Sequence, residues 1–350
     1  MKNQSVIGTN RKYLPALNGL RGIACLYVII THLRNGNLYL FPLPYTKIAG
    51  MVGVWIFFVL SAYLLTTNLY SYLEVTSSKF FSILKYAIYR IFRIYFLYLF
   101  VLIIHAFLGD ISIAGIFGHI LLRKGWHELW TIPVEYKSYI MIPVIAISTL
   151  RLSGKYVIFL FLIALTAAVF FSMSYPDDVF CDDLHILPKL TPFLFGSLLS
   201  LMISKKLIPS LESKSRSAFI VSIISLVVLF ISTIFFRQMV IGSYAPWTSI
   251  VISMSVAGII YSAVQMPAFG KLIGIKPLAF LGEISFSMYL LHIFLINLVM
   301  NLFDLSATVQ AWVSLGLIIL CSYVTYSIIE QPGIRMGRKV AQHLQKRYFS

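Results

Sequence analysis

Ten long apolar segments separated by short polar ones limit the possible folds of this chain more than any other feature. They run over approximately 17–34, 50–70, 88–108, 137–150, 155–173, 187–204, 217–236, 246–265, 280–301 and 309–329. A helix needs about 20 apolar residues to cross a bilayer. Charged residues make up only 11% of the chain, against about 25% in soluble domains. We therefore predict an all-α fold, a polytopic membrane helix bundle of about ten transmembrane helices, of which the short fourth is the weakest.

The distribution of basic residues predicts the orientation. If the N-terminus is inside and the segments alternate, 21 of the 28 Lys and Arg residues fall on the inner side. Because cytoplasmic loops are enriched in Lys and Arg, both termini are predicted to be cytoplasmic. The net charge of +16 then reflects topology and attraction to anionic membrane lipid, and no nucleic-acid partner is predicted.

The sequence shows no pattern typical of a metal or cofactor site. Cys25, Cys181 and Cys321 are far apart, and there is no P-loop or dinucleotide-binding glycine pattern. The acidic residues at 177–178 and 182–183 are more typical of a solvated loop than of a cation site. We predict no metal and no permanently bound cofactor.

Two ionisable residues share the first apolar segment. Arg21 and His32 are eleven residues apart, which is roughly 16 Å and about three turns of helix, so they lie on one face. Ionisable groups inside a bilayer are costly and usually mark function. The alternative is an interfacial arginine and a packed, hydrogen-bonded histidine.

Three further polar groups stand at or in the apolar segments. Arg90 and Arg93 share a helix face and would either clamp one anion or anchor the chain to lipid head groups. Glu135, at the outer end of the fourth segment, would either orient or stabilise a histidine or be a solvated interfacial acid. Ser285, Tyr289 and His292 form a stripe on one face of the ninth segment, serving either a site or interhelical hydrogen bonds.

Together these motifs resemble the membrane acyltransferase-3 family. The matching stretches are Leu17–Ala24 with His32, Gly53–Ser61, Arg90–Arg93, Leu129–Glu135, Leu281–His292 and Glu330–Pro332. The chain departs from the family pattern at Asn18, where an aspartate is common, at Trp55, where an acid often follows Gly-Val, and at Ala62, where a glycine is common.

The resemblance implies an integral-membrane O-acyltransferase of the bacterial cytoplasmic (inner) membrane. It would transfer an acyl group, expected to be acetyl, from cytosolic acyl-CoA to a hydroxyl of a glycan or lipid-linked glycan. A surface polysaccharide such as lipopolysaccharide O-antigen or exopolysaccharide is the expected acceptor. We expect one membrane acyltransferase domain over 1–350, with spans over about 17–332 and a basic cytoplasmic tail over 333–350, and no fused hydrolase-like domain.

The family motifs suggest a role for each candidate residue. His32 is the expected general base, since a histidine titrates near neutral pH. Glu135 would orient its imidazole or stabilise its charged form, toward the outer side. Arg21, Arg90 and Arg93 would bind the donor on the inner side. Four residues would line the cavity: Ser285, Tyr289, His292 and Trp130. A membrane transporter or flippase for a glycan or lipid-linked intermediate is the alternative function, because polar stripes also suit a carrier.

Overall fold

The computed structural model describes residues 15–41, 50–76, 78–181, 184–208, 216–239 and 242–348. Within these ranges the protein is a helical bundle without β-strands. The helices are α1 (Pro15–Asn35), α2 (Gly50–Val75), α3 (Lys79–Phe107), α4 (Ile113–Ile120), α5 (Thr131–Thr149), α6 (Gly154–Ser174), α7 (Leu190–Ser204), α8 (Arg216–Ile234), α9 (Phe236–Met239), α10 (Ala245–Gln265), α11 (Pro267–Ile273), α12 (Lys276–Glu283), α13 (Ser285–Leu302), α14 (Ala307–Thr325) and α15 (Gln331–Tyr348).

Eight helical stretches among the described residues are long and apolar enough to cross a membrane. They are Pro15–Asn35, Gly50–Val75, Lys79–Phe107, Gly154–Ser174, Leu187–Ser204, Ala245–Gln265, Ser285–Leu302 and Ala307–Arg347. The predicted fourth and seventh spans are also helical, as α5 and as α8, whose apolar part is shorter. The polytopic helical bundle is therefore confirmed, while the count of ten and the cytoplasmic termini stay predictions.

Glycines let the first helices approach neighbouring backbones closely. A Cβ atom on Gly22 would collide with the backbone carbonyl of Leu278 in α12, and one on Gly282 would collide with that of Asn18 in α1. Gly53 lies in the same way against the Ala24 carbonyl. Small residues at such crossings are typical of membrane bundles, where close backbone packing replaces the hydrophobic effect. These close backbone contacts hold α1 against both α2 and α12.

The bundle has central and peripheral helices. Within their apolar windows, α2 is 67% buried and α6 only 17%. Apolar side chains on the outward face of α6, such as Phe159 and Leu162, are exposed, as expected for a helix that faces lipid. The residues that carry the predicted site lie mainly on α1, α3, α5 and α13, around α2.

The C-terminal part continues the last span beyond its predicted end. After α14 the chain makes one π-helical turn, Tyr326–Glu330, and runs on as α15. The segment predicted as a basic tail, 333–350, is helical as far as Tyr348, and α15 packs against α3. A Cβ atom on either Gly333 or Gly337 would lie 2.7 Å from an atom of Phe92, so these glycines allow the close packing.

Candidate active site

One cavity of about 70 Å³ collects residues from several of the predicted motifs. Its lining includes Arg21 of α1, Arg90 and Arg93 of α3, and Glu135 of α5. Two members of the predicted polar stripe, Ser285 and Tyr289 of α13, also line it. Five sequence-distant segments thus meet at one point once α2 is included. Ionisable groups inside a bundle of this kind are typical of a functional site.

The position of Glu135 differs from the sequence-based prediction. Helix α5 begins at Thr131, six residues before the predicted span, because Pro133 is tolerated in the first turn of a helix. Glu135 is therefore carried into the bundle, where it lines the same cavity as Arg21, Arg90 and Arg93. Its Oε2 accepts a hydrogen bond of 2.6 Å from the hydroxyl of Tyr139. The role of Glu135 toward His32 stays a prediction.

A second carboxylate, Glu330, completes the charged cluster. Its side chain is fully buried, and its Oε1 lies 3.9 Å from Nη2 of Arg93. Its Oε2 accepts a hydrogen bond of 3.1 Å from the hydroxyl of Ser287 on α13. Glu330 ends the π-helical turn. Such turns are rare and frequently occur at functional sites.

The charged cluster has an excess of positive charge. Arg21 interacts electrostatically with Arg90, Arg93, Glu135 and Glu330, so three cations face two anions when all are ionised. The Nε atoms of Arg21 and Arg90 are buried and have no hydrogen-bond partner among the described residues. Buried donors without partners are uncommon in native structures. The cavity therefore offers two N–H groups and one net positive charge to an anionic or carbonyl ligand.

His32 lies against the other histidine of the predicted site. The ring centroids of His32 and His292 are 4.9 Å apart, with the planes at 65°. Nδ1 of His292 lies 2.6 Å from the carbonyl oxygen of Tyr289. Since a carbonyl only accepts, this nitrogen carries a proton, and in the neutral imidazole Nε2 then carries a lone pair. Nε2 is buried without a hydrogen-bond partner.

The two histidines adjoin the cavity through Tyr289. The rings of Tyr289 and His292 are 5.7 Å apart, and one helical turn separates these residues. On α2, the residues that line the cavity lie between Val54 and Ser61. Gly50 lies one helical turn before Val54, and it faces Thr31, which precedes His32 in the sequence. His32 and His292 therefore lie about one helical turn beyond the Val54 end of the cavity.

The two hydroxyl groups of the predicted stripe donate to backbone carbonyls. Ser285 donates to Gly282 over 2.9 Å, and Tyr289 donates to Glu128 over 3.1 Å. Each hydroxyl therefore presents its oxygen lone pairs, rather than its proton, to a ligand. The charged donors in the cavity are the guanidinium groups.

Trp130 is not among the residues that line this cavity, contrary to the prediction. Its ring packs edge-on against Phe58, with centroids 6.1 Å apart, and the ammonium of the buried Lys189 lies 5.6 Å from its centroid. Phe58 itself lines the cavity. Trp130 therefore supports the cavity wall by packing behind Phe58.

Comparison with known proteins assigns the family. A family profile described as an acyltransferase domain matches residues 14–327. The chain belongs to the acyltransferase-3 family. Three similar curated relatives are the O-acetyltransferase OatA proteins of Staphylococcus aureus strains NCTC 8325 / PS 47, COL and MRSA252. Each is 25% identical over 390 residues, an alignment that covers 96% of this chain and 60% of the relative. This acyltransferase-3 chain thus spans about three fifths of the length of those relatives, and no solved structure matches it.

Three polar residues of this acyltransferase-3 protein were not assigned a role from the sequence. Tyr139 follows Glu135 by one turn, and that spacing was the available signal. Glu330 stands at the end of an apolar segment, where an acid is costly. Glu128 is 3% exposed, and neither carboxylate oxygen has a hydrogen-bond partner among the described residues. Nothing in the local sequence distinguishes Glu128 from a solvated loop acid.

The acidic loop over 177–183, which we predict to be solvated and not to bind a metal, is described by the structure only in part. In the acidic loop, Oδ2 of Asp178 lies 2.8 Å from Nδ1 of His185, while 182–183 lie outside the described residues. Among the residues described, no group of His, Cys, Asp or Glu is arranged to hold a metal ion.

Proposed function

We propose that this protein transfers an acyl group, expected to be acetyl, from cytosolic acyl-CoA to a hydroxyl of a surface polysaccharide. Membership of the acyltransferase-3 family supports acyl transfer, and the name of the relatives, O-acetyltransferase, supports acetyl and an oxygen acceptor. The observation that carries the proposal is the arrangement of the site: a guanidinium-lined cavity that ends next to a pair of histidines.

The donor occupies the guanidinium side of the site. Arginine suits phosphate because its planar fork makes two parallel hydrogen bonds, and the cluster has one positive charge in excess. The unpartnered Nε–H groups of Arg21 and Arg90 are hydrogen-bond donors for the phosphates of the acyl-CoA.

His32 acts as the general base at the opposite end. The acceptor hydroxyl gives its proton to His32 as its oxygen attacks the thioester carbon, and a tetrahedral intermediate forms. Its collapse breaks the carbon–sulfur bond, and the proton passes from His32 to the departing thiolate. The products are an O-acyl ester and free CoA. The neighbouring His292, with its fixed Nδ1–H, holds one side of the His32 ring.

The proposed topology has the donor on the cytoplasmic side and the acceptor on the outer side of a bacterial cytoplasmic membrane. The bias of basic residues supports this orientation. The acyl group would then cross the membrane without export of CoA.

The test compares His32→Ala with the wild type and a matched control, His343→Ala, in a bacterial host that carries the acceptor glycan pathway. His343 is exposed on α15, so its loss should leave activity intact. We expect a base-labile acyl increment in the mass of the surface glycan with wild type and His343→Ala, and none with His32→Ala. An increment that survives in His32→Ala would refute the role of the base.

The transporter alternative is separated by a binding measurement. Acyl-CoA should raise the unfolding temperature of the purified protein, because a ligand that binds only the folded state stabilises it. If no increment forms and acyl-CoA leaves the unfolding temperature unchanged, acyl transfer is contradicted and transport of a glycan is favoured.

A further inference from the structure

A second, wider cavity opens beside the first and shares two of its arginines. Its volume is about 300 Å³, against about 70 Å³ for the inner cavity, and Arg90 and Arg93 line both. The wide cavity lies between α2, α3 and α15. Because the two cavities adjoin at Arg90 and Arg93, we interpret them as the wide entrance and the narrow inner part of one site.

The entrance has a strongly basic lining. Arg90, Arg93 and Arg338 contribute to it, and none of the described residues that line it is acidic. Glu330 approaches Arg93 and Glu135 interacts with Arg90. With Arg21 included, the two cavities hold four arginines against these two carboxylates, a net charge of +2 when all are ionised. The remaining charge fits a ligand that carries more than one negative charge, and guanidinium groups favour phosphate over other anions of the same charge because of their geometry.

Aromatic rings and an amide face the same space. Tyr72 and Tyr89 line the cavity, and the ammonium of Lys85 lies 4.3 Å from the centroid of Tyr72 and 5.9 Å from that of Tyr89. The rings of Tyr72 and Tyr89 and the ammonium of Lys85 thus form one cluster at the cavity wall. Aromatic faces stack on nucleobases. Asn68, also in the lining, carries the amide that pairs with the donor and acceptor edge of adenine.

The arginine at the rim is supplied by a helix outside the region that matches the family profile. That match ends at residue 327, and α15 runs from Gln331 to Tyr348. The contact of Gly333 and Gly337 with Phe92 holds α15 on α3 and places Arg338 at the entrance. The docking of α15 therefore builds part of this cavity.

We propose that the wide cavity binds the nucleotide end of the donor, a 3′-phosphorylated adenosine diphosphate, with Arg338 holding a phosphate and the Tyr72–Tyr89 wall stacking the base. This inference rests on the proposed function, because it specifies how acyl-CoA is held. The narrow inner cavity has room for the thin acyl-thioester arm and not for a nucleotide. Arg90 and Arg93 lie where the two parts of the ligand join.

The first test measures binding of adenosine 3′,5′-bisphosphate to the purified full chain in nanodiscs of neutral lipid. We compare the wild type, Arg338→Ala and a matched control, Lys339→Ala, whose side chain is the next cation on α15 and does not line the cavity. We expect binding to the wild type and to Lys339→Ala, at least tenfold weaker binding to Arg338→Ala, and weaker binding of 5′-AMP than of the bisphosphate. Arg338 is exposed, so its replacement should not prevent folding, and thermal unfolding of each variant checks this.

The second test measures acyl-CoA turnover. Arg338→Ala should raise KM for acetyl-CoA about tenfold with a much smaller effect on kcat, because a group that binds the remote end of the substrate contributes equally in the ground and transition states. Equal bisphosphate affinity in all three proteins, or an unchanged KM in Arg338→Ala while acetyl-CoA is consumed, would overturn this inference and leave the proposed function standing. If acetyl-CoA neither binds nor reacts, both fail.

A phosphate-bearing lipid head group shares this chemistry, and the lipid composition separates the two sources. If the defect of Arg338→Ala is present in anionic nanodiscs and absent in neutral ones, Arg338 binds lipid and the nucleotide assignment is wrong. A defect of the same size in both lipids supports the nucleotide.

Discussion

Replacing Glu128 by glutamine should stabilise the protein, increasingly so as the pH rises. Glu128 lies in the 3₁₀ segment His127–Trp130, outside the membrane-spanning helices, and both of its carboxylate oxygens are buried without hydrogen-bond partners. Burial raises the pKa of this carboxyl group from 4.5 to about 8, because the charged form loses its hydration. Glutamine keeps nearly the same shape and cannot ionise.

The direction and magnitude of this pH-dependent difference in stability follow from proton linkage. Between pH 4.5 and about 8 the folded protein keeps the proton on Glu128, while the unfolded chain has lost it. The folded state then binds more protons, so its stability decreases with rising pH by about 1.4 kcal/mol per pH unit at the steepest. The glutamine variant lacks this loss. Its advantage over the wild type should grow by about 3 kcal/mol between pH 5 and pH 7, and stop growing above about pH 8.

The assay is thermal unfolding in nanodiscs at several pH values. A difference of about 3 kcal/mol corresponds to roughly 6 °C in unfolding temperature, at about 2 °C per kcal/mol for a chain of this size. Glu74→Gln is the matched control, because Glu74 is exposed and its replacement removes the same charge. If the unfolding temperatures of wild type and Glu128→Gln differ by a constant amount from pH 5 to pH 8, the raised pKa and its cause are refuted.

Two further predictions concern the charged cluster and the helix crossings. Glu330→Gln keeps the acceptor for Ser287 but removes the charge that faces the partly exposed Arg93. The unfolding temperature should fall by the equivalent of about 1 kcal/mol, because Arg93 is 29% exposed and can be hydrated when its partner is removed. An unchanged unfolding temperature would show that the pair is dispensable for folding. Gly22→Ala should destabilise the bundle by about 1–3 kcal/mol, because its Cβ atom would collide with the α12 backbone. Gly316→Ala, which has open space at Cβ, is the control and should stabilise the protein by up to about 1 kcal/mol. Equal effects of the two substitutions on thermal unfolding would contradict the close crossing of α1 and α12.

The apolar pattern was enough to predict the bundle and less reliable for its irregular parts. Each predicted segment is helical because a long apolar run has no other way to satisfy its backbone in lipid. The start of α5 was placed too late, since Pro133, Glu135 and Lys137 interrupt the apolar run there. The interruption of the ninth segment at Ile284 and the π-helical turn before α15 depend on tertiary packing, which no local pattern contains.

Several residues named from the sequence line one cavity, but their arrangement could not be predicted. Helix periodicity correctly placed Arg90 and Arg93 on one face, since both line the same cavity. It could not show that Glu135 would meet the arginines, because the depth of a short span is not determined by its length. The contact between His32 and His292 joins residues 260 positions apart, and only the fold brings them together.

The separation of charge along the site gives a physical reason for the proposed route of the acyl group. Moving a charged group through a bilayer costs at least several kcal/mol, and CoA carries several negative charges. A neutral thioester carries no such penalty. In the proposed reaction the arginines stay at one end with the phosphates, and His32 and His292 stand at the other, so that only the uncharged acyl arm spans the distance between them. This requires the two ends to act independently: Arg338→Ala should weaken donor binding without altering the pH dependence of kcat, whereas His32→Ala should abolish transfer without altering donor affinity. Loss of donor affinity in His32→Ala would contradict the separation, because it would place the phosphates next to the histidines.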